Sequence, residues 1–178
     1  MAKNSKLVFI GLHVIAWLIF VGLSIEACAL LVNFVFSIVK PEWVQNLYQK
    51  LDLSQMFNKS KMVFFGVYAL ILCISFLKAI LFYVLIQLLM KLDLSQPFNM
   101  SVAKKFTTIC YFTLSIGLLG VVAAEISKSL TYQGFEMYKL THFWDDSHAF
   151  ILMTAVVYIL AVIFKRGVEI QSENELTV

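Results

Sequence analysis

The sequence predicts an all-α membrane protein with four transmembrane helices. Of its 178 residues, 61% are hydrophobic and only 14% are charged, and the mean hydropathy is +0.85. A soluble domain of this size has about a quarter of its residues charged. A 20.3 kDa globule also lacks the interior volume to bury so many apolar side chains. The surroundings of most of the chain are therefore predicted to be lipid.

Four long apolar segments are predicted to be the spanning helices of a single domain. A helix needs about 20 residues to cross the roughly 30 Å hydrocarbon core. The predicted helices cover about residues 7–39, 62–90, 106–130 and 148–166, and a cytosolic tail follows at 167–178. The last helix is short, but Lys165 and Arg166 at its end can snorkel to the headgroups.

The first two helices are longer than the bilayer requires. The first would measure about 50 Å at 1.5 Å per residue. Beyond Glu26 it stays apolar, as does the second helix from Met62 to Leu77. We therefore predict that these two extensions and the loop 40–61 form a small extracytoplasmic cap, in which Pro41 is suited to begin a new turn.

The basic residues favour an orientation with both termini in the cytoplasm. Two adjacent basic pairs, Lys104-Lys105 and Lys165-Arg166, lie directly at predicted membrane ends on the side that holds both termini. Basic residues concentrate on the cytoplasmic side of membrane proteins. We therefore expect a multi-pass protein of the cell inner membrane. No basic patch alternates with exposed aromatic residues, so direct nucleic-acid binding is not expected.

Charged side chains interrupt three of the apolar segments. Glu26 and Glu125 each lie about 30 Å from the cytoplasmic ends of their helices, and Lys78 is long enough to snorkel toward that height. Asn33 shares a helical face with Glu26. In one interpretation, this polar cluster serves a small proton- or cation-coupled transporter, because charges inside the membrane are functional candidates. The other interpretation is a structural ion pair, or charges at the outer interface.

Two of the predicted loops contain copies of the same short sequence. Lys50–Ser60 recurs as Lys91–Ser101 with nine of eleven residues identical. One predicted helix separates the copies, so they face opposite sides of the membrane. Inverted repeats occur in transporters. The alternative is that both copies are turns that precede helices, with Asn and Ser as N-caps.

The third loop and the cysteines offer little chemistry. His142, Asp145 and His148 are zinc-type ligands close in sequence, but the segment is also typical of a helix start with acidic caps. We predict no metal and no cofactor there. The three cysteines lie singly in apolar segments, with no C-x-x-C pair, and are expected to be packing residues. No catalytic motif is present, so the protein is predicted not to be an enzyme.

The end of the fourth predicted helix and the C-terminal tail hold the candidate residues for binding a partner protein. They combine both charges with an apolar last residue: Lys165, Arg166, Glu169, Glu173, Glu175 and Val178.

The tail and the second loop resemble a known family. The segments 164–169 and 173–178 are similar to the ending of a bacterial family of small four-span membrane proteins, the domain of unknown function 2975. Leu92–Phe98 matches that family's Leu-Asp-Leu-Ser-x-Pro-Phe segment before its third helix, and the resemblance covers roughly residues 60–178.

The resemblance implies a partner, because members of the family are often encoded beside a small helix-turn-helix regulator. The leading hypothesis is therefore a sensing or regulatory protein that binds such a cytosolic transcriptional regulator through loop 91–105 and the tail. The alternative is the transporter, which would act as a homo-oligomer.

Overall fold

The computed structural model describes residues 2–40, 53–92 and 98–175, and the side chains of 7–40, 53–92 and 98–173. These ranges form five α-helices and one 3₁₀ helix, without a β-strand. They are α1 (Ala2–Val39), α2 (Ser54–Lys59), α3 (Lys61–Lys91), α4 (Met100–Tyr132), the 3₁₀ helix (Tyr138–Phe143) and α5 (Ser147–Glu175). The long helices α1, α3, α4 and α5 are apolar and long enough to cross a membrane, which confirms the predicted fold class.

The four long helices pack antiparallel in chain order. Phe20 of α1 lies beside Tyr83 of α3, whereas Phe34 lies beside Phe65, so the two helices run in opposite directions. The same holds for α3 with α4 and for α4 with α5. Within the described ranges, α1 contacts no long helix but α3, and α3 and α5 both pack on α4.

This arrangement gives the molecule two distinct ends. At the tail end, α3 finishes, α4 begins and α5 finishes, and the first residues of α1 lie there too. At the loop end, α3 begins, α4 finishes and α5 begins. Both ends of the described chain are therefore at the tail end, as an even number of spans requires.

A narrow stripe of α1 faces α3. Ala16, Ala27, Leu30 and Ser37 are buried at spacings that keep them on one side of a helix, and three of the four are small. Tyr68 of α3 donates its hydroxyl to the Leu30 carbonyl at 3.2 Å. Most other α1 side chains are exposed and apolar, as expected for a helix that is surrounded by lipid.

The repeat segments begin two helices at opposite ends of the molecule. The Ser60 hydroxyl accepts a hydrogen bond from the Val63 amide at the start of α3. The Asn99 side chain accepts from the Ser101 amide, 2.8 Å away, at the start of α4. The capping interpretation of the repeat is thus confirmed for Ser60 and Asn99. Residues 50–52 and 93–97 of the repeat lie outside the described part of the chain.

A layer of short elements covers the loop end. Phe57 of α2 packs edge-on against Phe64 of α3, and the loop after α4 buries Met137, Leu140 and Trp144. The outer turns of α3, from Lys61 to Leu77, extend about 26 Å past the start of α5. The predicted extracytoplasmic cap requires this layer to lie outside the bilayer, and that position stays a prediction. Residues 41–52 of the cap are outside the described ranges.

Candidate functional site

The Lys78 side chain reaches the loop before α5. Its ammonium donates to both Asp146 carboxylate oxygens, at 2.7 and 2.9 Å, and to the Phe143 carbonyl at 3.2 Å. The ring of Phe150 lies 5.5 Å from the ammonium nitrogen. The Lys78 side chain is 14% exposed and that of Asp146 is 46% exposed. The ammonium is therefore neutralised and hydrogen-bonded where the loop meets α3.

The predicted grouping of Lys78 with Glu26 and Glu125 is not formed among the described residues. Glu125 is exposed and pairs with Lys128 of its own helix at 2.6 Å. Glu26 and Asn33 are partly buried on α1, and neither has a hydrogen-bond or ion-pair partner within the described part of the chain. The physical reason is packing: in the described ranges α1 packs on α3 and not on α4, so the two glutamates are kept apart although their heights are similar.

The third-loop residues that resemble zinc ligands are not brought together. His142, Asp145 and His148 are all exposed, and the His142 ring lies against Phe143 with centroids 3.9 Å apart. In the ranges that the structure describes, no three His, Cys, Asp or Glu residues are positioned to hold a metal ion. Asp146, which precedes α5 in the same segment and which the sequence analysis did not connect with Lys78, pairs with Lys78.

The α4–α5 contact is a seam of small residues that the sequence reasoning missed. A Cβ at Gly120 would lie 2.5 Å from the Ser147 Cβ, and one at Gly117 would lie 2.6 Å from Ile151. Glycine at both positions is what lets the two helices approach so closely. The spacing Gly117-x-x-Gly120 was the available signal, because it places both glycines on one helical face.

A hydroxyl pair adds a polar contact to this seam. Thr154 of α5 donates to the hydroxyl of Thr113 in α4 at 3.0 Å, and Thr113 is fully buried. Hydrogen bonds between helices of this kind stabilise membrane proteins where lipid offers no alternative partner.

At the tail end, aromatic rings join the second loop to α5. The ring centroid of Phe164 lies 4.7 Å from the ring centroid of Phe106 and 5.6 Å from that of Phe98. The Phe98 ring covers Gly167 so closely that a Cβ there would lie 2.2 Å from it. We call Phe98, Phe106, Phe164 and Gly167 the aromatic clamp. It connects the two segments that carry the family resemblance, which the sequence could not show to be in contact.

Polar contacts surround the aromatic clamp. Lys105 of α4 donates to the side-chain oxygen of Gln87 in α3, and Lys91 donates to the Ser101 hydroxyl at 2.9 Å. Arg166 pairs with Glu169 at 2.9 Å.

Those of the predicted partner-binding residues that the structure describes lie on a helix rather than in an irregular tail. Helix α5 continues to Glu175, nine residues past its predicted end, and Lys165, Arg166 and Glu173 are exposed along it. The Glu175 side chain and Val178 lie outside what the structure describes.

These features define a multi-pass α-helical membrane protein with an ion pair at one end and an aromatic clamp at the other. Residues 40–178 match the family described as "Protein of unknown function (DUF2975)", and the chain belongs to this family. The match confirms the family that the tail and the second loop indicated. No curated protein and no solved structure matches the chain.

Proposed function

We propose that the protein is a non-enzymatic regulatory membrane protein of the cell inner membrane that binds a soluble cytosolic partner at its tail end. The observation that carries this proposal is the contact of Phe98 with Gly167. It holds Phe98, at the end of the second loop, against α5, so the start of α4 and the end of α5 lie side by side. This neighbourhood supports a binding surface that both predicted segments share.

The shape of this end suits protein recognition. Helix α5 runs 11 residues, or about 16 Å, beyond Phe164. That segment exposes the basic side chains of Lys165 and Arg166 and the apolar side chain of Ile170, which is 58% exposed. A rigid helix with mixed charge and an apolar contact residue can dock with little loss of conformational entropy.

The partner that we favour is a helix-turn-helix regulator, as the family resemblance suggested. Such a regulator is a cytosolic protein, so the tail end must face the cytosol. The basic pairs Lys104-Lys105 and Lys165-Arg166 lie at this end, and the positive-inside rule then favours cytoplasmic termini. A regulator held at the membrane is kept away from its DNA site, so binding itself would be the regulatory event.

The transporter alternative has less support. It depended on Glu26, Lys78 and Glu125 acting together, and each of these residues has a different environment in the structure. Lys78 is neutralised by Asp146, which gives it a structural role without any transported ion.

Affinity purification from native membranes tests the proposal. The full-length protein is compared with a chain that ends at Arg166 and with Gly167→Leu, whose side chain would displace the Phe98 ring. The matched control is Gly66→Leu, where a Cβ meets nothing within 4 Å. We expect the full-length protein and the control to retain a soluble helix-turn-helix protein, identified by mass spectrometry, and the other two variants to lose it.

The outcome is interpretable only for folded protein, so each variant is first compared by melting temperature and size-exclusion profile. Retention of the same regulator by both the truncated chain and Gly167→Leu would remove the tail end from the interaction. Absence of any such regulator from the full-length sample would reject the proposed function.

A further inference from the structure

A groove runs between α3 and α5. Both helices pack on α4 but do not contact each other closely along their backbones in the described ranges. The space between them has a volume of about 220 Å³. Phe106 and Ile109 of α4 form its floor, with Leu85 of α3 on one side and Phe150 and Met153 of α5 on the other.

The chemistry of the groove excludes water as its occupant. Among the described residues that line it, Thr113 alone has a polar side chain. That hydroxyl donates to the Ile109 carbonyl at 3.0 Å and accepts from Thr154. A buried water needs two to four polar partners, and the described lining of this groove offers at most the one remaining acceptor position of Thr113. An empty groove would leave its walls without dispersion contacts.

Polar contacts and packed rings bound the groove at both ends. At the loop end, the Lys78 ammonium, which is paired with Asp146, lies over the Phe150 ring. At the tail end, Phe106 packs on Phe164. Met153 lines the groove and is 51% exposed, so the groove is open along the side of the helix assembly. For helices in a bilayer, that side faces lipid chains.

We propose that this groove binds one hydrocarbon chain of a bilayer lipid. Its volume of about 220 Å³ and its apolar lining suit part of a single chain. A helix from a second copy or from another protein is about 10 Å across and does not fit. The thioether of Met153 and the phenylalanine rings adapt to a flexible apolar chain. This inference does not depend on a partner at the tail end.

Photo-crosslinking of the full-length protein in lipid vesicles tests the proposal. The vesicles contain phosphatidylethanolamine, phosphatidylglycerol and a small fraction of phospholipid with a diazirine on one acyl chain. After irradiation, mass spectrometry maps the modified residues. We expect adducts concentrated on the groove residues of α3 and α5, above the level found on exposed α1 side chains such as Val14 and Val21.

Two filling variants and one control make the test specific. Leu85→Trp fills the groove from α3, and Met153→Trp closes its exposed side without requiring space in the core. Leu114→Trp places the same side chain on the exposed face of α4, outside the groove. We expect several-fold fewer groove adducts in either filling variant that keeps the wild-type melting temperature, and no change in the control.

Other outcomes would overturn the proposal. Adducts spread in proportion to exposed surface would show ordinary contact with surrounding lipid. Groove adducts that persist in Met153→Trp would show that the chain lies elsewhere. Absence of adducts on the groove residues of α3 and α5 would show that no lipid chain occupies the groove.

Discussion

Replacement of Gly120 by alanine tests whether the close α4–α5 contact holds the structure together. The new methyl group would lie 2.5 Å from the Ser147 Cβ and 3.4 Å from its Cα. Both atoms are fixed by the backbone of α5, so no change of rotamer relieves the clash. The start of α5 must move away from α4, which also weakens the contacts of its neighbour Ile151.

The expected magnitude follows from two opposing terms. Overpacking a well-packed contact costs about 1–3 kcal/mol. Replacing a helical glycine by alanine gains about 0.5–1 kcal/mol of helix stability. Gly22→Ala receives the same gain without the clash, because a Cβ at Gly22 meets nothing within 4 Å. The helix term cancels between the variants, so Gly120→Ala should be less stable than Gly22→Ala by about 1–3 kcal/mol.

The measurement is the free energy of unfolding in mixed micelles, titrated with denaturing detergent and followed by circular dichroism. Gly117→Ala adds an internal comparison: its nearest contact is the Ile151 side chain at 2.6 Å, which can partly rotate away. We expect its loss to lie between those of the other two variants. Equal free energies of unfolding for Gly120→Ala and Gly22→Ala would refute the close contact between Gly120 of α4 and Ser147 of α5.

Three further predictions concern the loop end and the helix interior. Lys78→Met leaves Asp146 unpaired and should lower the free energy of unfolding by about 1–2 kcal/mol, because the pair is only partly exposed. An unchanged free energy of unfolding would show that the ion pair contributes nothing. Thr113→Val removes the hydrogen bond from Thr154 of α5 and should lower the free energy of unfolding by about 0.6 kcal/mol, and at most by about 1.7 kcal/mol. A higher free energy of unfolding would contradict a stabilising role of this hydrogen bond. A membrane-impermeant maleimide should label Cys28 and Cys73 in sealed vesicles but not the cysteine of α4, and protection of all three would contradict a loop end outside the hydrocarbon.

Hydropathy was enough to predict the four long helices, because a helix in lipid must satisfy its own backbone and remain apolar over its length. It was not enough to predict where α5 ends. The apolar pattern stops near Phe164, but the helix continues through Gly167, where Phe98 packs against it, and through the Arg166–Glu169 pair. The contact with Phe98 depends on a loop far away in sequence.

The polar residues show the same limit more sharply. Counting residues gives the height of a side chain in the membrane, and by height Glu26, Lys78 and Glu125 belong together. Height does not say which helices touch. The partner of Lys78 is Asp146, 68 residues later, and it is reached because the loop after α4 folds back over α3.

Glycine positions illustrate why tertiary structure was needed. Gly22, Gly66, Gly117 and Gly120 all lie in apolar helices and look alike in the sequence. Only the last two face another helix at close range, whereas the first two have open space around them. The i, i+3 spacing of Gly117 and Gly120 was the one local hint, and its meaning depended on the packing of α5.

The level at which α5 begins also bears on where the bilayer ends. From Ser147 to Phe164 this helix measures about 27 Å, close to the roughly 30 Å of a hydrocarbon core. Two aspartates directly precede it, and carboxylates are not stable in hydrocarbon. Since Lys78 pairs with one of them, the outer boundary should pass near Lys78 in α3 as well. On this reasoning we expect the outer turns of α3, with Cys73 among them, to project beyond the lipid chains, because a charge fixes the boundary more firmly than the length of an apolar segment does.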